Sequence, residues 1–152
     1  MRPGELLLAD GPIVLNAGRR TAAVDVENTS DHTIFVSSHY PFFEVNRRLV
    51  FDRARAWGMR LDIPAGDSVR WRPGERKRVP LVSFGGRVIV RGFNGLTDGP
   101  ASPERLAEAL ERVRLGGFGD QRMLASDAGD PSPGPSSGSH VRPVAPEVKH
   151  GE

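Results

Sequence analysis

The stretch SSHYPFFEVNRRLVFDRARAWGMRLDIPAGDSVRWRPG, residues 37–74, decides the fold class. Its apolar residues come in short runs, RLVF at 48–51 and RLDI at 60–63, and turn signals cut each run off. Pro64-Ala65-Gly66-Asp67 and Arg72-Pro73-Gly74-Glu75 combine proline's fixed φ with glycine's freedom to turn left-handed, so each predicts a tight reversal. SVRW between them is long enough for one short strand. DRARAWG, at 52–58, leaves room for a single helical turn stopped by Gly58. The stretch also carries a dense set of arginines.

The same grammar extends in both directions. Upstream, PIVL (12–15) is a brief apolar run closed by Asn16-Ala17-Gly18. Ala22, Val24 and Val26 alternate with Ala23, Asp25 and Glu27, the period of a half-buried strand. Asn28 to Asp31 turns the chain, and Ile34 with Val36 opens a second strand. That strand is expected to run toward Val45 and to break at Pro41, which lacks a ladder donor. Downstream lie KRVPLV (77–82) and RVIVRGF (87–93). Many short strands with frequent turns predict an all-β domain over residues 1–100, a sandwich, jelly roll or small barrel.

After residue 100 the pattern changes. Ser102-Pro103 is a helix start, with serine as N-cap and proline at the first helical position. Leu106, Leu110 and Val113 form one narrow apolar stripe, Glu108 can pair with Arg112, and Gly116-Gly117 ends the helix. So short a helix is marginal alone, and the segment 101–118 is therefore read as a docking helix, seated on its own domain or on a partner. Residues 119–152 are read as a disordered tail. From Ser126 onward, 14 of 27 residues are Ser, Pro or Gly, too few apolar groups to offset the entropy of ordering.

Composition narrows the class. With 38% apolar and 26% charged residues the chain suits a globular protein, and no run approaches the ~18 apolar residues of a membrane span. The Leu6-Leu7-Leu8 run is too short for a signal peptide, and the absence of cysteine removes disulfides and thiolate metal sites. The reading is a cytoplasmic protein. Basic residues outnumber acidic ones 15 to 11 over residues 1–100 and cluster at Arg19-Arg20, Arg47-Arg48, Arg70 to Arg78, and Arg87 with Arg91. Such clusters blunt strand edges or meet an acidic partner. Trp71 and Phe93 are too scattered to make a stacking platform for nucleic acid.

No constellation of reactive groups emerges. His32 lies in a turn, and His140 and His150 lie far apart in the tail. His39 sits in ordered context beside Tyr40, where a packed or interface role outweighs catalysis. No serine stands in a G-x-S-x-G elbow. Glu44 and Asp52 are a carboxylate pair only by count, and Phe84-Gly85-Gly86-Arg87 lacks the lysine and helix of a phosphate loop. The residues point to a β domain without catalytic or metal-binding residues of its own.

The chain closely resembles the urease β subunit, the small all-β chain of bacterial ureases. The resemblance rests on Pro3-Gly4-Glu5, Leu15-Asn16-Ala17-Gly18-Arg19, Ser38-His39-Tyr40, Phe42 with Glu44 and Asn46, and Phe51-Asp52-Arg53. It continues through Gly58, Arg60-Leu61-Asp62-Ile63-Pro64-Ala65-Gly66, Val69-Arg70-Trp71, Pro73-Gly74, Leu81-Val82, Gly85-Gly86 and Gly92-Phe93. It implies a bent-ribbon, jelly-roll-like subunit of a nickel enzyme that hydrolyses urea to ammonia and carbamate. It further implies that nickel and the catalytic residues belong to the α subunit, and that this chain binds no cofactor. The β chain would then help hold α and γ chains in a trimer of αβγ heterotrimers. Where the family usually has His-x-His this chain has Pro41, and Trp71 stands where phenylalanine is common. Under this reading no residue here is catalytic, and the candidates for partner contact are His39, Tyr40, Phe42, Asn46, Arg70 and Trp71. The alternatives are a divergent urease-β-like binding or structural module without urease partners, and a nucleic-acid-binding β domain.

Overall fold

The computed structural model describes residues 10–127. The strands are β1 (Thr21–Asn28), β2 (Ile34–Ser37), β3 (Leu49–Val50), β4 (Met59–Leu61), β5 (Ser68–Trp71), β6 (Arg76–Ser83), β7 (Ile89–Val90) and β8 (Gly99–Pro100), followed by helices α1 (Leu106–Leu115) and α2 (Gln121–Asp127). The β1 alternation holds as read: Val24 and Val26 are buried while Asp25 faces water. β1 is central in an antiparallel sheet of order β3-β1-β6-β4, and β2 with β5 forms a separate antiparallel ribbon. In the β2–β5 register Ile34 meets Trp71 and Val36 meets Val69 on one face, while Phe35 meets Arg70 on the other. The inner faces of sheet and ribbon close over one core that includes Val26, Phe42, Phe51, Leu61, Trp71 and Leu81. The fold is all-β, with a short helical appendage.

Three expectations shift. β2 ends at Ser37, and after a turn the chain forms a 3₁₀ turn at Phe42–Glu44 rather than a strand running to Val45. Pro41 precedes that turn with φ −58°, close to the angle its ring imposes, so proline starts a turn here rather than interrupting a strand. RVIVRGF contributes only Ile89 and Val90, which pair with Gly99 and Pro100.

Ser102 precedes a 3₁₀ turn at Pro103–Arg105 but makes no side-chain capping bond there, so α1 begins three residues later than read, at Leu106, while Arg112 bonds Glu108 one turn back as expected. Its stripe turns inward onto its own domain. Ala109 and Val113 are buried in a second core with Phe43, Trp57, Leu96 and Phe118, while Leu106 and Leu110 are only partly covered. The residues after 118 do not begin a free tail. Asp120 is buried and bridges Phe51 in parallel, Gln121 N–H donates to the Phe51 carbonyl at 3.1 Å, and α2 follows. The rest of the tail, residues 128–152, lies outside the described residues, as do 1–9.

Arg53 ties the two cores together. Its guanidinium is buried and donates to five carbonyls: Phe43 (2.8 Å), Val45 (3.3 Å), Asn46 (3.2 Å), Leu49 (3.1 Å) and Gly119 (2.8 Å). The Phe51 and Phe118 rings cover its faces at 4.7 and 5.2 Å. Burial lowers its pKa to about 10, so it stays charged at neutral pH. Lysine has no planar fork to reach these carbonyls, and Arg53→Lys should cost about 3 kcal/mol in urea denaturation. Val113→Ala should cost about 2 kcal/mol by the same measurement. Leu115→Ala, on the exposed face of α1, should change stability by less than about 0.5 kcal/mol.

Candidate partner interface

Ser38 fixes the turn that carries His39 and Tyr40. Its side chain is buried; its N–H donates to the Asp67 carbonyl at 2.8 Å, and its Oγ accepts from Gly66 N–H at 3.1 Å. The same hydroxyl lies 2.9 Å from His39 Nδ1, which orients an imidazole that is otherwise exposed. Tyr40, half-buried, stands edge-on to Phe93 with ring centroids 5.0 Å apart and planes at 76°.

That aromatic pair separates two hollows. One, of about 410 Å³, is lined by Phe35, Tyr40, Asn46 and Asn94 among others. The second, of about 290 Å³, includes His39, Ile89, Arg91 and Phe93. Phe35 is 64% exposed, Phe93 55% and Ile89 50%, so the face presents apolar surface of the kind that marks interaction sites. Arg70 stands beside Phe35 across the β2–β5 ribbon. Arg70, Arg87 and Arg91 are exposed, and among the described residues none has a carboxylate within ion-pair distance. Exposed aromatic residues with unpaired arginines match the composition of protein interfaces.

Four of the six interface candidates therefore share one face: His39, Tyr40, Asn46 and Arg70. Phe42 and Trp71 do not reach it. Both are 0% exposed, with Phe42 packed 5.0 Å from the Phe51 ring and 6.4 Å from Trp71, so they support the face from inside. The Trp71 indole N–H has no acceptor among the described residues, a cost that phenylalanine would avoid at this position. Phe35, Asn94, Ile89 and Phe93 line the same hollows without standing among the six candidates. Phe35 was readable, because it falls on the outward phase between Ile34 and Val36. Phe93 was not, because a loop rather than a strand places it.

The carboxylates that could have formed a catalytic pair have separate structural duties. Asp52 accepts from Arg55 N–H at 3.4 Å and caps the 3₁₀ turn at Arg53–Ala56. Glu44 is fully buried. Its Oε2 accepts from the N–H groups of Asn94 (3.2 Å) and Leu96 (3.1 Å), its Oε1 from Thr97 N–H (2.6 Å), and its carbonyl from Asn94 Nδ2 (2.6 Å). His32 is exposed beside Asp31. Among the described residues no group of three or more His, Asp or Glu stands close enough to hold a metal ion, and no helix is long and apolar enough to cross a membrane.

Burial first, and then the nearby Glu44 carboxylate, raise the Tyr40 pKa above its ordinary value of 10.0. Tyr40 is the only tyrosine in the chain, so absorbance at 295 nm reports it alone. The native protein should titrate above pH 10, and Glu44→Gln should move the midpoint down. The folded chain keeps this proton where the unfolded chain has lost it, so Tyr40's contribution to stability falls as pH rises above about 10.

Comparisons with known proteins complete the description. The sequence model of the family described as "Urease beta subunit" matches residues 3–100. The chain is 47% identical over 128 residues to the urease subunit beta of Haloarcula marismortui, covering 84% of this chain and 92% of that one. It is 51% identical over 113 residues to the urease subunit beta of Haloquadratum walsbyi, covering 74% and 90%. It is 52% identical over 113 residues to the urease subunit gamma/beta of Pseudomonas syringae pv. syringae, where it covers 74% of this chain but only 49% of the relative. With its all-β domain matched by that family over residues 3–100 and relatives of about half identity, the chain belongs to the urease beta subunit family.

Proposed function

We propose that this chain is the non-catalytic structural β subunit of a nickel-dependent urease, which hydrolyses urea to ammonia and carbamate. The observation that carries the reading is the family match over residues 3–100, which spans the whole β domain. In this reading nickel and the reacting groups belong to the α subunit. The relative named gamma/beta, twice the length of the matched region, supports a γ chain as the other partner. The working assembly is a cytoplasmic trimer of αβγ heterotrimers. In it this chain holds its neighbours through the face built from His39, Tyr40, Asn46 and Arg70.

Purification of the chain from its native host should bring down a large nickel-bearing chain and a γ chain, with urea-dependent ammonia release. Recovery of this chain alone and free of nickel would overturn the reading. Arg70→Glu should weaken association about tenfold by reversing a rim charge. His39→Ala should lower complex yield while turnover per assembled nickel stays unchanged; normal yield with lost turnover would contradict a structural role.

A further inference from the structure

The loop from Gly92 to Gly99 is held in place by a side chain outside it. Five of its eight residues have left-handed φ: Gly92 (80°), Phe93 (51°), Gly95 (69°), Asp98 (40°) and Gly99 (143°). Glycine enters that region freely, whereas a bulky side chain is strained there. Phe93 occupies the first central position of a turn closed by Gly95 N–H to the Gly92 carbonyl at 3.0 Å, a place where a turn of left-handed φ ordinarily carries glycine. The strained residue also leaves its large apolar side chain exposed to water. Strain of this kind persists only where the surroundings enforce it, and it gathers at functional sites.

The enforcing group is Glu44. Its buried carboxylate takes the N–H groups of Asn94, Leu96 and Thr97, and its carbonyl takes the Asn94 side chain, so four hydrogen bonds clamp the residues directly after Phe93. Charge-assisted bonds from main-chain donors to a buried carboxylate are the strong class. They hold the Phe93 ring outward, braced by Tyr40, between two hollows and beside the unpaired Arg91.

We infer that Glu44 is a positioning residue that presents Phe93 as the anchor of the subunit interface. The surface it fits is that of the catalytic urease chain, with an apolar socket for the ring and a carboxylate beside it for Arg91. The inference rests on the urease reading given above. An aromatic ring delivered preformed loses little freedom on binding, which favours affinity.

The test is a double-mutant cycle on the full chain, with affinity for the catalytic urease chain of the same organism measured by calorimetry. Phe93→Ala should weaken binding at least about 30-fold, as a central anchor does. Glu44→Gln should weaken it about tenfold, and the double variant should bind no worse than Phe93→Ala alone, because the two residues act through one ring. Amide exchange at Asn94, Leu96 and Thr97 should quicken in Glu44→Gln, while Val24 and Leu81 keep their protection. Asn94→Ala, which removes one clamp bond and leaves the carboxylate in place, substitutes in the cycle if Glu44→Gln does not fold. Wild-type affinity in Phe93→Ala, or losses that add in the double variant, would overturn the inference and leave the urease reading intact. Failure of the wild-type chain to bind the catalytic chain would overturn that reading and the inference with it.

Discussion

The buried Arg53 guanidinium is the interaction on which the rest of the molecule depends. An unpaired cation inside an apolar core would be prohibitive, and among the described residues no carboxylate comes within ion-pair distance of it. Five peptide carbonyls do the work that water would have done. Three of them, those of Phe43, Val45 and Asn46, belong to the irregular chain between β2 and β3, a stretch with too few ladder bonds to shape itself, and a fourth belongs to Leu49 at the start of β3. The fifth belongs to Gly119, beyond α1. One planar side chain therefore fixes the segment under the candidate interface and ties the helical appendage to the β domain. The rings of Phe51 and Phe118 add cation–π attraction and keep water out.

Glu44 is the anionic counterpart of this arrangement. Arg53 gathers carbonyls, Glu44 gathers amides, and the two charges meet the backbone rather than each other. Both residues organise loops, one before β3 and one before β8, where neither sheet nor helix supplies partners for the main chain. Removing either group would strand peptide dipoles in a dry interior, so each charge selects one loop conformation over its competitors.

Legibility in the sequence followed periodicity. β1 and the outward phase of Phe35 could be read because strand alternation is strict, and turns at Pro64–Asp67 and Arg72–Glu75 because proline and glycine leave few options. The end of α1 was visible in Gly116-Gly117, and Ser102-Pro103 marked the 3₁₀ turn that leads into it. What escaped reading depends on long-range partners. Phe42 and Trp71 are covered by long-range packing that local sequence does not reveal, Phe42 in a 3₁₀ turn and Trp71 at the end of β5 on the face turned to the core. Pro41 was read as a break in a strand when it opens a 3₁₀ turn. Residues 119–127 were assigned to the tail because the partner that orders them, the Phe51 to Arg53 segment, lies far back along the chain.

That separation has a bearing on biosynthesis. The Gly119 carbonyl that completes the Arg53 cage lies 66 residues downstream of it, and Phe118, which seals the cage, is its neighbour. A ribosome releases the whole β domain before it releases the lid. Until residue 119 clears the exit tunnel, the guanidinium lacks its fifth carbonyl and the Phe118 ring that covers it. The chain thus carries its own order of maturation, with the strands pairing first and the Arg53 cage beneath the candidate interface closing last.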